Sequence, residues 1–128
     1  MDAESAARRW AETWARAWPA ADVDMIDALY ADDAIFYSHP FRDREKPRDY
    51  VVWAFSEEAG AECRFGTPIV SGDRAAVDWW AIMTGKDGSV ESIAGTSLLR
   101  FDAGGLVIEQ RDAWAIEPGR RELDDWAR

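Results

Sequence analysis

The 128-residue chain has a single cysteine, Cys63, a single histidine, His39, and no long apolar run. One cysteine excludes an internal disulfide, so the fold needs no oxidising compartment. With one His and one Cys, a tetrahedral zinc site of nitrogen and sulfur ligands cannot be assembled. No loop has the spacing of a calcium site. The chain is therefore expected to work without a metal or other cofactor. Basic residues are scarce, with 15 Lys and Arg against 25 Asp and Glu and a formal net charge of −10. Nucleic-acid binding rests on a basic footprint, so nucleic acid is disfavoured as a partner, and so is an anionic membrane surface. No stretch approaches the roughly 18 apolar residues of a membrane span, and Met1-Asp2-Ala3-Glu4-Ser5 leads into no signal-peptide block. A soluble, cytoplasmic protein is expected. A Gly-rich phosphate loop and a Gly-x-Ser-x-Gly elbow are both missing, which leaves nucleotide and serine-hydrolase chemistry unsupported.

What the chain does have is aromatic bulk. Eight tryptophans in 128 residues need a deep core, a cavity or an interface to cover them. Trp10, Trp14 and Trp18 recur every four residues, which predicts one face of a helix over residues 4–18, ended by Pro19. Asp22 reads as the N-cap of a short helix through Tyr30. Ile35 to Ser38 reads as a strand. Pro47 opens a third helix, Arg48 to about Glu58. Beyond Gly60 the period changes to that of strands: Cys63–Phe65 and Ile69–Val70 bent at Pro68, then Ala75–Thr84, Val90–Phe101 and Leu106–Ile116. Helices followed by a meander predict an α+β fold, one domain over 1–128 with the helices on one face of a curved antiparallel sheet. Residues 118–128 read as a polar tail.

Asp87-Gly88 is a strong hairpin signal. If these two residues form the whole loop, Asp78 lies opposite Ser97, Trp80 opposite Gly95 and Ile82 opposite Ile93. By alternation these six share one face, and Trp79, Ala81 and Met83 share the other with Ala94, Thr96 and Leu98. Both faces are mostly apolar. One is expected to meet the helices. The other, carrying Trp79, Ala81, Met83, Ala94 and Leu98, is expected to be covered by a second copy in a homodimer.

Several motifs in order resemble one group: Leu29-Tyr30-Ala31-Asp32-Asp33-Ala34, the strand end Ser38-His39-Pro40, Arg100-Phe101-Asp102 with Gly105, and Trp114 on the last strand. Together they resemble the SnoaL-like branch of the nuclear transport factor 2-like superfamily, over about residues 8–116. The resemblance implies a cone-shaped α+β barrel, with a strongly curved antiparallel sheet wrapped around a long first helix and a pocket between them. Its members include ketosteroid isomerase, limonene epoxide hydrolase, scytalone dehydratase, polyketide cyclases and non-catalytic binders.

Laid on ketosteroid isomerase, His39 falls at the general base, Trp14 at the oxyanion tyrosine, Ser97 at the protonated aspartic acid and Trp114 at a pocket tryptophan. Both strong oxyanion donors are thus replaced, which argues against ketosteroid isomerisation. Laid on limonene epoxide hydrolase, Arg111-Asp112 resembles the last-strand Arg-Asp with its catalytic Asp, and Tyr37-x-His39 resembles the Tyr-x-Asn that positions water. Asp78 could stand for the second aspartate, but the arginine between the two carboxylates has no counterpart.

The expected cavity therefore holds Trp14, Tyr37, His39, Asp78, Trp80, Ser97, Asp112 and Trp114. His39, Asp112 and Asp78 are the candidate catalytic groups, and the others are candidate contacts to a small hydrophobic ligand or substrate. Three functions remain open: a cofactor-independent acid/base enzyme, a non-catalytic binder, or an interaction module with a vestigial pocket.

Overall fold

A computed structural model describes residues 1–122. Asp2 caps the first helix, α1 (Ala3–Ala20), by accepting from the Ser5 amide at 2.8 Å. Its buried face runs Ala6, Ala7, Trp10, Ala11, Thr13, Trp14 and Ala17, the spacing of a core-facing helix. Pro19 falls in the last turn, and Ala21, in the left-handed region at φ 51°, closes the helix by donating to Ala17 and Trp18. Asp22 caps the short α2 (Val23–Asp27) through the Met25 amide. Strand β1 spans Tyr30–Tyr37, starting five residues earlier than the sequence suggests. Pro47 opens α3 (Pro47–Ser56).

Five strands follow: β2 (Glu58–Phe65), β3 (Ile69–Ser71), β4 (Arg74–Gly85), β5 (Val90–Phe101) and β6 (Val107–Pro118). The sheet order is β1-β6-β5-β4-β2, with β3 on β4. The sheet curves strongly into a half-barrel around the helices, the cone-like α+β architecture that the motifs imply. One feature departs from the expectation. The sheet is mixed, because β1 runs parallel to β6. Between β1 and β6 the chain runs through α3 and the strands β2–β5, which gives the long connection that parallel neighbours need.

The hairpin corrects the register. Gly85 donates to Ser89, Gly88 donates to Gly85, and Gly88 has φ 84°, so the loop is Lys86-Asp87-Gly88. Three residues ending in a left-handed glycine form the turn-plus-bulge hairpin. Asp78 therefore pairs with Thr96, Trp79 with Gly95, Trp80 with Ala94 and Ala81 with Ile93. A shift of one residue exchanges the faces of β4. Trp79, Ala81 and Met83 point inward, while Asp78 and Trp80 point outward.

The proposed convex patch thus loses Trp79, Ala81 and Met83. Ala94 and Leu98 do lie on that outer face, where Trp80 and Ile82 pack with Val90 and Ala94. The chain's own C-terminal segment covers part of it. Ser92 Oγ donates to the Gly119 carbonyl and accepts from the Arg121 amide, and Arg120 pairs with Glu62. Residues 119–121 of the expected polar tail are thus tied to the sheet, though they stay exposed, and 123–128 lie outside the described residues.

Gly95 sits where the inner face is tightest. A Cβ there would meet the Ala113 carbonyl oxygen and Trp114 Cβ, both at 2.6 Å, and the Trp79 ring at 3.0 Å. Neither of the first two can move without shifting β6. Gly95→Ala is expected to destabilise the fold by roughly 2 kcal/mol, the usual cost of overpacking. The urea midpoint at unchanged slope measures it.

Candidate functional site

Three aromatic rows converge inside the cone. From α1 come Trp10, Trp14 and Trp18, from α3 Tyr50 and Phe55, and from the sheet Phe65, Trp79 and Trp114. They enclose a cavity of about 80 Å³, which also holds Ser97, Gln110, Asp112 and Glu58. An outer basin of about 200 Å³ continues from it, sharing Tyr50, Glu58, Met83, Ile93 and Trp114 and reaching Arg42, Trp53 and Ile116.

Alternation along β6 turns Gln110, Asp112 and Trp114 to the inside. The carboxylate of Asp112 accepts from Ser97 Oγ at 2.6 Å and from Gln110 Nε2 at 3.0 and 3.3 Å. Behind these donors stands a buried network. Trp79 Nε1 donates to Ser97, the Tyr30 hydroxyl and Trp10 Nε1 donate to Gln110 Oε1, and Trp10 and Trp14 both donate to Tyr30. Ser97 and Gln110 are each 1% exposed. A network this enclosed fixes the carboxyl while one edge faces the cavity.

Burial pushes the Asp112 carboxyl up to about 7, against the opposing pull of the Ser97 and Gln110 hydrogen bonds. Removing one of those donors should raise it further. In Ser97→Ala, the Asp112 titration followed by carboxyl ¹³C NMR is expected to move upward from its wild-type midpoint, since hydrogen bonds to the ionised form are what hold it down.

Glu58 is the second inward carboxyl. An irregularity between Glu58 and Gly60 in the β2–β4 pairing re-aims it at the cavity. Trp18 Nε1 donates to both of its oxygens, at 3.2 and 3.0 Å. Burial raises this group to about 7 as well, opposed by the Trp18 hydrogen bond. Tyr50 lines both spaces, and burial first, then the charge of Asp112, pushes its phenol up to about 12.

Of the residues singled out from sequence, Trp14, Ser97, Asp112 and Trp114 line the cavity together. His39 does not join them. Phe36 and Ser38 turn inward from β1 and the residue after it, and the chain then reverses, with Arg42 N–H donating to the His39 carbonyl. His39 Nδ1 accepts from the Phe41 amide at 3.2 Å, and its ring meets the Trp114 ring at 4.7 Å between centroids. Trp114 itself is fixed by donating to the Ser38 carbonyl at 2.6 Å. Tyr37 alternates away from Phe36 and pairs with Arg111 on the face turned from the cavity.

Asp78 and Trp80 are on the outer face of β4. The Asp78 carboxylate lies close enough to Gly66 that a Cβ there would meet its Oδ1 at 2.1 Å and force the side chain to turn away. Sequence reasoning missed Glu58, Tyr50 and Gln110. Gln110 was accessible from two-residue alternation with Asp112, and Glu58 only from the need of the half-buried Trp18 indole for an acceptor.

The model of the SnoaL-like domain matches residues 7–110 of the chain. The chain belongs to the SnoaL-like domain family. Asp112 and Trp114 lie just past the matched span. No curated protein matches this SnoaL-like sequence. Solved structures do.

An epoxide hydrolase/cyclase-like enzyme of pyran ring formation in the polyether salinomycin superposes with TM-score 0.78 at 19% identity, over 92% of this chain and 98% of its own. An LEH-like epoxide hydrolase from Mycobacterium tuberculosis gives TM-score 0.67 at 17% identity, over 88% and 82%. A protein with a ketosteroid isomerase-like fold from Catenulispora acidiphila, in complex with trimethylamine, gives 0.67 at 17%, over 79% and 81%. At these identities the likeness is one of fold. This SnoaL-like chain thus shares its architecture with an epoxide hydrolase/cyclase-like enzyme and an LEH-like epoxide hydrolase.

Proposed function

We propose that this SnoaL-like protein is an acid/base enzyme that needs no cofactor and acts on a small, largely apolar molecule by isomerisation, cyclisation, dehydration or hydration. The observation that carries this reading is Asp112, a carboxyl held rigidly by Ser97 and Gln110 at the wall of an aromatic cavity and poised near neutral pH. A group whose pKa matches the working pH can both take and return a proton. Tyr50, whose phenol stays protonated at that pH, faces the same space and can donate to a substrate oxygen on which negative charge develops.

The reaction would run in two proton movements. Asp112, ionised, removes a proton from carbon or from an attacking hydroxyl. It then returns that proton at a second position, while Tyr50 stabilises the intervening oxyanion. His39 has no direct part in this scheme, because its contacts are with Trp114 and Phe41.

The test is a screen of small ketones, enones, epoxides and hydroxylated rings for turnover, repeated with Asp112→Asn. Trimethylamine in the Catenulispora complex is a small amine, so amine-bearing substrates belong in the same screen. A substrate turned over equally by the variant would remove Asp112 from the chemistry.

A further inference from the structure

Asp112 accounts for one inward carboxyl and leaves Glu58 without a task. Glu58 sits at the junction of the inner cavity and the outer basin. Rings crowd around its partner Trp18, with centroids at 6.0 Å for Trp14, 5.9 Å for Trp79 and 6.5 Å for Phe65. Phe55 closes the group at 6.3 Å from Trp14.

The indoles of this cavity have already committed their N–H groups to protein acceptors: Trp10 and Trp14 to Tyr30, Trp18 to Glu58, Trp79 to Ser97 and Trp114 to Ser38. What those rings present to a ligand is therefore their faces and carbon edges, and the faces carry the negative end of the ring quadrupole. Among the described residues, no Lys, Arg or His lines the inner cavity, and no ion pair engages Glu58. Glu58 meets Trp18 at the indole N–H edge, and a carboxylate bordering an aromatic-walled cavity, with no ion pair of its own, is an environment that favours an organic cation.

We propose that the inner cavity receives the substituted ammonium group of an amine ligand, with Glu58 as its counter-charge and the Trp14, Trp18, Phe55, Phe65 and Trp79 rings as its cage. This rests on the reading of the cavity as the substrate site and narrows the substrate class. A bare ammonium brings three N–H donors that each need an acceptor. An alkylated one brings mostly carbon surface, which matches these walls. The inner volume of about 80 Å³ suits a compact head group, and the outer basin of about 200 Å³ suits the body.

Arg42 lies over the Trp114 and Trp53 rings at 5.4 and 5.9 Å, at the outer basin. Glu57 and Glu91 line the same basin, so acidic groups outnumber Arg42 along the approach and a cation is favoured on the way in. The net charge of −10 draws cations to the molecule as a whole.

The experiment compares choline with its uncharged isostere, 3,3-dimethylbutan-1-ol, by titration calorimetry at pH 8, where Glu58 is mostly ionised, on the wild type and on Glu58→Gln. The amide keeps an oxygen for Trp18, so the variant preserves the local hydrogen bond. Choline is expected to bind the wild type at least tenfold more tightly than the alcohol. Glu58→Gln is expected to weaken choline by at least tenfold while leaving the alcohol within threefold. Alcohol binding equal to choline binding would overturn the ammonium assignment yet leave the cavity as a ligand site. A variant that loses both probes alike, or neither, would overturn Glu58 as the counter-charge. Binding of neither probe to the wild type would overturn the assignment, and the reading of Asp112 would still stand or fall on its own turnover test.

Discussion

Asp112→Asn should lower kcat on a substrate found by screening by roughly 10²–10⁴-fold, the share that a positioned general acid–base group contributes. The substitution removes little else. Asparagine keeps the shape and an oxygen that Ser97 Oγ can reach, and the cavity walls are untouched. The loss should therefore appear in kcat, with KM changed by no more than a few fold. The wild-type pH profile should carry an inflection near 7 from the carboxyl that burial raises to about that value. In the variant that inflection should vanish. Circular dichroism on the same samples separates chemistry from unfolding. A drop of less than threefold with the fold intact would return Asp112 to a purely structural role.

The second large effect is on stability, and its sign is opposite to that of ordinary surface carboxylates. Asp112 has a folded-state pKa of about 7 against 3.8 when exposed. Well below pH 3.8 it is protonated in both states, and its burial then costs the fold nothing in ionisation. As pH rises, the unfolded chain ionises first and binds fewer protons, so stability falls until the folded carboxyl also ionises near 7. Between pH 5 and 8 this amounts to roughly 3 kcal/mol as an upper figure, at 1.36 kcal/mol per pH unit. Glu58, also raised by burial to about 7, acts in the same direction. Asp2, Glu62 and Asp87 are lowered by their hydrogen bonds and act the other way, mostly below pH 5.

Urea unfolding at pH 5 and pH 8 measures the difference. The wild type should be distinctly less stable at pH 8. Asp112→Asn should be more stable than the wild type at pH 8 and should lose less between the two conditions.

The elements of this fold could be read from local chemistry because each has a local cause. Asp22 caps α2, Pro47 opens α3, and the Trp10, Trp14 and Trp18 stripe marks the buried face of α1. The site was half legible for a different reason. Ser97 and Asp112 are held to the inner face by their own strands, whatever β4 does. Asp78 and Trp80 were placed through the hairpin. There, one additional loop residue, Lys86, turned β4 over and left β5 where it was.

The parallel pairing of β1 with β6 is a long-range event that no local pattern encodes. His39 was misplaced by analogy of position. Its strand ends at Tyr37, and a turn carries the imidazole to the outside of the Trp114 contact. Glu58 could not be found by strand alternation, because the irregularity beside it breaks the period.

The hydrogen bonds behind Asp112 have a kinetic meaning. One branch runs through Ser97 and ends at the Trp79 indole; the other runs through Gln110 to Tyr30 and ends at Trp10 and Trp14. Both branches end on indole donors in the core, and an amide or an indole holds a proton without passing it on. The carboxyl thus exchanges with solvent only through the cavity. In an isomerisation of the kind proposed, a seated substrate stoppers that route, and a proton that Asp112 lifts from carbon goes back onto the molecule it came from. In heavy water the product of such a turnover would keep its original hydrogen, and the label in the solvent would stay there.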